Sequence, residues 1–269
     1  MRALSAQRAR GCVKCFTALV VTGLQWCVRL YFALAALTAC GRLGFDAAPV
    51  TDGAIDAPAD APPPPALVAA HGDSTGDSGT PPITFAVPIT NVVAGDLLVV
   101  AITDHNGTAV AGIVDSTGTA LTSTNGFAVN GTTSSEIWYE SDSTATDSVT
   151  VTMTTGSYFD VFVGEFSGIR PGPPAAVAKN CVEYPPTIAT ADVTTTAPGS
   201  LVVTATMNAY PLYVSQMLAP FTGFPAQTGN DAGYYIAAVP GTYGSTFDID
   251  SGAGMNAMTC ATSAAWLPI

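Results

Sequence analysis

The sequence predicts an all-β protein: a single antiparallel β-sandwich, jelly-roll-like, over residues 66–269, behind a leader and a Pro/Ala/Asp-rich stalk. Three observations predict it. From Ala66 onward, short runs rich in Val, Thr and Ile alternate with Gly, Asn, Ser and Pro, the punctuation of many short strands. No stretch there keeps a helical apolar period beyond a turn or two. Hydrophobic residues make up 48% of the 269 and charged residues only 10%, enough apolar surface for a large core.

The strands are placed in order. Residues 66–70 and 82–87 open the domain. Residues 97–104 begin Leu-Leu-Val-Val-Ala-Ile, apolar on both faces as in a central strand. Residues 110–114 and 134–142 follow. Ser148–Thr154 alternates Thr with apolar residues, as a half-buried strand does. The series continues with 159–167, 175–179, 200–207, 233–239, 244–249 and 256–266. A weak internal repeat runs through it. Residues 81–103 align without gaps to residues 185–207, with seven of 23 positions identical, Gly95/Gly199 and Leu97/Leu201 among them. It predicts similar strand–turn–strand units in the two halves of one domain.

Before the domain the texture differs. Residues 30–39 read LYFALAALTA and follow Arg29: a basic flank, a short apolar stretch and small residues, the makeup of a secretory signal. Leu37-Thr38-Ala39-Cys40 resembles a lipobox. The resemblance implies diacylglycerol on the Cys40 thiol, cleavage before Cys40 and a signal peptide over 1–39. With Gly41 next, it implies an outer-membrane lipoprotein of the cell envelope, periplasmic or surface-exposed. A span over 16–39 left uncleaved would place Arg29 near mid-bilayer at a cost of about 2.5–3.5 kcal/mol. Residues 1–28 are expected to reflect, in part, a translation start set too early. Residues 40–65 form the lipidated cysteine and stalk. Six Pro, six Ala and four Asp among residues 41–65 cannot build a core, and such a segment reaches roughly 30–75 Å. Opening Cys-Gly-Arg-Leu-Gly-Phe-Asp (40–46), it is similar to stalks of secreted lipoproteins of large-genome Gram-negative bacteria, which carry many different domains.

Charge and cysteines bound the partners. After Cys40 only Arg42, Arg170 and Lys179 stand against all 20 acidic residues. So acidic a chain repels phosphate backbones, which excludes nucleic acid as a partner. The membrane is expected to be met through lipid on Cys40. Beyond the leader and Cys40 there remain Cys181 and Cys260. In an exported chain they are expected to pair, with two separate buried thiols as the alternative. Two histidines make a zinc site unfavourable, and no metal ligand set is assigned. Calcium is the cofactor that acidic loops would suit, although no calcium-binding motif is present; no cofactor is otherwise expected.

The domain also carries a family resemblance. Ala-Gly-Asp-Leu-Leu-Val-Val (94–100), Ile-Trp-Tyr (137–139), the Thr/Val run 148–154, Val-Gly-Glu-Phe-Ser-Gly-Ile (163–169) and Pro-Gly-Ser-Leu-Val-Val (198–203) resemble, in that order, a widespread secreted bacterial β-sandwich domain. It occurs in surface proteins beside enzymes or adhesive modules. Its motifs are strand signatures and assign no site. Asn125-Gly126-Phe127 stands where that family often has Gly-Trp.

Two constellations could carry chemistry. His71-Gly72-Asp73-Ser74 resembles the opening block of some esterases, and Gly76-Asp77-Ser78-Gly79 a protease nucleophile segment. Both need a suitably placed histidine. No histidine follows His105, and His71 is too near Ser78. A polar turn is the better reading, as it is for Asp104-His105-Asn106-Gly107, and no catalytic residue is assigned. Glu136, Trp138, Glu140 and Asp142 share one face at strand period. An aromatic face among carboxylates suits a sugar, so these four are the candidate ligand-binding residues; a solvated outer face with Trp138 under a loop is the plainer alternative. Asp160 and Glu165, an odd number apart, fall on opposite faces. Together these features lead to a non-catalytic binding or adhesion module for a glycan or surface protein. The alternatives are a polysaccharide or ester hydrolase and a structural envelope lipoprotein without a specific ligand.

Overall fold

The computed structural model describes residues 62–77, 81–130, 133–183, 187–189, 191–208, 214–217, 219–225, 231–244, 246–249 and 258–269. All of these belong to one compact unit, Asp60–Ile269. Cys40 and most of the stalk lie outside the described residues, as do Ser78 and Gly79.

The described chain is all-β and antiparallel. Its first half comprises β1 (Ala66–Asp77), β2 (Ile83–Pro88), β3 (Leu97–Asp104), β4 (Val110–Asp115), β5 (Thr122–Ser123), β6 (Ala128–Asn130), β7 (Thr133–Glu140), β8 (Ser148–Met153) and β9 (Ser157–Ser167). The second comprises β10 (Ala176–Glu183), β11 (Thr187–Ala189), β12 (Val193–Thr195), β13 (Ser200–Asn208), β14 (Val214–Met217), β15 (Thr222–Gly223), β16 (Asp231–Ala237), β17 (Gly241–Tyr243), β18 (Thr246–Ile249) and β19 (Met258–Trp266).

The strand orders establish the jelly roll. One sheet runs β1-β9-β3-β7-β5 and faces a sheet ordered β2-β8-β4. The chain crosses between the sheets at β2, β4 and β8, while β5, β6 and β7 stay together in the large sheet, a two-layered antiparallel arrangement of the jelly-roll kind. The second half repeats the plan: β10-β19-β13-β16-β15 copies the large sheet, while β11-β18-β14 and β12-β17 stand where the first half has one outer sheet. The antiparallel sandwich expected from the sequence is therefore present and is built twice. The repeated segments hold equivalent places, with Leu97 and Leu201 at the start of the central strands β3 and β13, paired with Phe166 and Trp266.

Three cores separate the layers. Leu98, Val100 and Ile102 of β3 and Phe159, Val161 and Val163 of β9 pack on Val87, Ile113, Val149 and Val151 of the outer sheet. The opposite face of the same strands presents Leu97, Val99, Ala101, Phe162 and Phe166 to Leu201, Val203, Ala205, Ala264 and Trp266 of the second half. The far face of the second large sheet covers Val202 and Ala265 with Val193, Met217 and Phe221. This is why β3 reads as continuous apolar sequence: every residue of it is buried, on both faces.

The two large sheets meet reciprocally. Tyr139 lies opposite Val99, and Tyr234 opposite Val203. Tyr139 packs edge-on against Trp266 at 5.9 Å, and Tyr234 against Phe166 at 5.3 Å. Phe166 and Trp266 in turn pair with Leu97 and Leu201. Each half thus gives the other the same pair of positions, as the subunits of an isologous dimer do.

The expected polar turn at the start of the domain is corrected. Residues 71–77 are not a polar turn; they continue β1, paired with β9 down to Ser157. Gly72, which resembled turn punctuation, is a close-approach glycine: a β-carbon there would overlap the Pro225 carbonyl. Asp104–Gly107 does form the expected turn, with Asp104 accepting the N–H groups of Asn106 at 2.8 Å and Thr108 at 2.9 Å. Cys181 and Cys260 face each other across β10 and β19 and form the expected disulfide.

Candidate functional site

Strand β7 sends Glu136, Trp138 and Glu140 to the face of the first core and Ile137 and Tyr139 toward the second half. The period-two assignment of faces holds. The environment differs from an open sugar platform, because this face turns into the jelly roll. Glu136 is only 5% exposed. Its Oε1 accepts the Val110 N–H at 2.9 Å and its Oε2 the Trp138 indole N–H at 2.7 Å. The register of β4 against β8 shifts just beyond Val110, and Glu136 takes up the Val110 N–H. Burial pushes the Glu136 carboxyl above its ordinary range, and the two hydrogen bonds moderate the rise. Trp138 packs its ring against the first core. Asp142 lies past the end of β7, exposed, in a turn with φ of 61°. It therefore leaves the stripe that sequence period assigned to it.

Glu140 has a different situation. It pairs across the sheet with Leu98, which also pairs with Glu165, so two glutamates flank one leucine on a single rung. Each gives one oxygen to a loop: Glu140 Oε1 accepts the Thr144 N–H at 3.1 Å, and Glu165 Oε1 accepts the Val93 N–H. The other oxygen of each is buried without a hydrogen-bond donor. Burial raises both carboxyls from their ordinary range, helped by Asp115 at Glu140 and by Asp96 at Glu165.

Glu140 lines an open cleft of about 370 Å³ at one end of the first jelly roll. Thr119, Thr122, Tyr139, Asp142 and Thr144 also line it, with Gly172 and Pro173 from the connection between the halves. Asp115 organises the threonines. It accepts the N–H groups of Thr117 and Thr119 at 2.9 and 2.7 Å, and the Thr144 hydroxyl at 2.6 Å. Burial works against its charge, but the hydrogen bonds from Thr144, Thr117 and Thr119 outweigh it and hold the carboxyl below its usual range. The sequence reading missed Asp115. The Asp-Ser-Thr-Gly-Thr run at 115–119 was the available signal, since an Asp before Thr-Gly commonly caps its own turn.

The remaining candidates are dispersed. His71 sits in mid-β1 opposite Val163, while His105 donates its N–H to the Tyr158 carbonyl, five residues away along β9. Burial lowers the His105 pKa, with Asp160 and Asp104 pulling the other way. Ser74 lies opposite Asp160 on β9. Asp160 is level with Thr103 and Glu165 with Leu98, so they occupy opposite faces, as expected. Among the described residues no three His, Cys, Asp or Glu gather in a group that could hold a metal ion. No family model matches the chain, and no curated protein matches it.

Proposed function

We propose that this chain is a lipoprotein precursor, lipidated on Cys40 and held at the outer membrane, whose tandem sandwich serves as a non-catalytic binding module. The basic flank, the apolar run 30–39 and the Leu37-Thr38-Ala39-Cys40 motif support the anchor. One observation carries the binding reading: an open cleft brings Glu140 and Asp142 together with Thr119, Thr122 and Thr144, carboxylates beside hydroxyls that can both donate and accept to a polar ligand. Hydrolysis is the weaker reading, because Glu136 is only 5% exposed and both its oxygens are held by Val110 and Trp138 within the fold, out of reach of a substrate.

Two experiments test the proposal. Labelled palmitate should enter the wild-type chain and not Cys40→Ser; equal labelling would remove the anchor. The solubilised protein should bind at least one polymer on a glycan array or in an envelope pull-down, and Glu140→Gln should weaken that binding. Absence of binding to every polymer and envelope fraction would remove the binding reading.

A further inference from the structure

The Cys181–Cys260 bond joins strands that main-chain pairing already holds. The two cysteines are direct partners in the antiparallel ladder of β10 and β19, and the pairing continues unbroken on both sides, through Asn180 and Ala261 and through Val182 and Thr259. The bond can therefore open without β10 leaving the sheet. β10 is also the outermost strand of that sheet, so the bond lies at an edge. Its two sulfurs are unlike. Cys181 is half-buried, whereas Cys260 is fully buried. Cys260 faces β7 of the first half, where the Thr133 hydroxyl donates to its Sγ at 3.5 Å. Thr133 is itself fully buried.

We infer that this disulfide is an exchange site in the folded protein, entered at Cys181 by the thiolate of a dithiol oxidoreductase, with Cys260 as the leaving sulfur. The incoming thiolate bonds to Cys181 Sγ as the Cys181–Cys260 bond breaks, and the electron pair passes to Cys260 Sγ. The Thr133 hydroxyl stabilises that thiolate, and a better-stabilised thiolate leaves faster. The partner's second thiol gives up its proton, attacks the partner's own bonded sulfur and releases Cys181 as a thiolate. Both cysteines end as thiols: the protein disulfide has gained two electrons and two protons, and the dithiol departs as a disulfide. A dithiol is required because the closed loop favours the intact bond, so Cys260 would expel a single thiol from the mixed disulfide. The reduced chain keeps β10 in its sheet and loses the covalent brace, which makes the pair a redox switch on the second half.

The test uses the detergent-solubilised full-length protein without denaturant. The reductant is dithiothreitol, and the trap is a dithiol oxidoreductase whose resolving cysteine is replaced by serine. Reduction should be first order in dithiothreitol while the circular dichroism stays native. The trap should link to Cys181, as located by peptide mass spectrometry. Thr133→Val should slow reduction about tenfold, the size expected of a hydrogen bond to a charged group. Thr133→Ser keeps the hydroxyl and should restore the rate. In guanidinium the variants should be reduced as fast as wild type, since the contact with Thr133 is then gone. A native rate that saturates at the rate of global unfolding would overturn the inference, because exchange would then need the unfolded chain. A trap linked to Cys260, or native Thr133→Val reduced as fast as wild type, would overturn it too. The order of the reaction and the position of the trap are read on the wild-type chain, and they decide the matter even where Thr133→Val fails to fold.

Discussion

Glu165 is fully buried, with one oxygen on the Val93 N–H and the other without a donor beside Asp96. Its carboxyl is raised above the ordinary value of 4.5. Between that value and the raised one, the folded chain binds more protons than the unfolded chain. Stability therefore falls as pH rises through the folded pKa, and is greatest below the unfolded one. Glu136 and Glu140 act in the same direction. His105 opposes them: its pKa is lowered, so its share of stability is lost as pH falls below 6.5. Comparing wild type with Glu165→Gln cancels the His105 effect. Gln keeps the acceptor for Val93 and offers Asp96 a donor. The variant should gain about 1 kcal/mol at pH 7, and the gain should vanish toward pH 4.5 in urea titrations. A gain independent of pH would contradict this account. At Gly72 the effect is steric. Gly72→Ala should cost about 1–3 kcal/mol through overpacking against Pro225. Gly112→Ala, whose β-carbon meets nothing within 4 Å, should stay within about 0.5 kcal/mol.

Among the elements, β10 and β19 carry the disulfide, and the two halves differ most in their outer sheets. The first outer sheet is continuous, β2-β8-β4; the second is divided into β11-β18-β14 and β12-β17. A divided cover leaves more strand edges to fray. Cys181–Cys260 braces the half with the divided cover, closing a loop with a sequence separation of 79. Its loss should lower stability by about 4 kcal/mol on the chain-entropy model, measured as the shift in denaturation midpoint of the Cys181→Ser/Cys260→Ser pair. The cost should fall on the whole transition, because Thr133 of β7 donates to Cys260 Sγ and Ser135 contacts Thr262. These bonds tie the braced edge to the first half. Glycines make the same union on the apolar side: Gly164 leaves room for the Phe224 ring, which a β-carbon would approach to 2.6 Å.

At the scale of the molecule, the middle core decides cooperativity. Among the described residues the inner faces of the two large sheets pack on each other, so a half expressed alone would expose Tyr139, Phe162 and Phe166, or Trp266 and Tyr234. Calorimetry should show one transition, with calorimetric and van't Hoff enthalpies equal. Tyr139→Ala and Tyr234→Ala should each lower stability by about 3 kcal/mol, by similar amounts because the two tyrosines occupy equivalent places. Two separable transitions would mean that the halves are independent domains.

The longer strands were legible because strand period and turn residues are local properties, whereas the short strands β5, β6, β11, β12, β14, β15 and β17 were not, being too brief to show a period. Leu97–Ile102 announced a strand buried on both faces, the Thr/Val alternation of Ser148–Thr154 a half-buried one, and the repeat at Gly95/Gly199 a doubled plan. The cysteine pair followed from composition and context. The faces of Glu136, Trp138 and Glu140 were legible too, since parity along a strand needs no partner. What lay on the other side of that face was not. Whether a carboxylate meets water, an indole or a backbone N–H depends on β4 and on the 93 and 144 loops, which long-range pairing brings to it. Gly72 is the same lesson in one residue: a glycine marks a turn or a close approach, and only the distant Pro225 carbonyl distinguishes them. The sequence by itself determined the all-β class, the longer strands with their period, and the likeness of the two strand–turn–strand units. Tertiary structure decided which carboxylates are fully engaged and which keep a buried oxygen without a donor, because desolvation and hydrogen bonding are set by neighbours far along the chain.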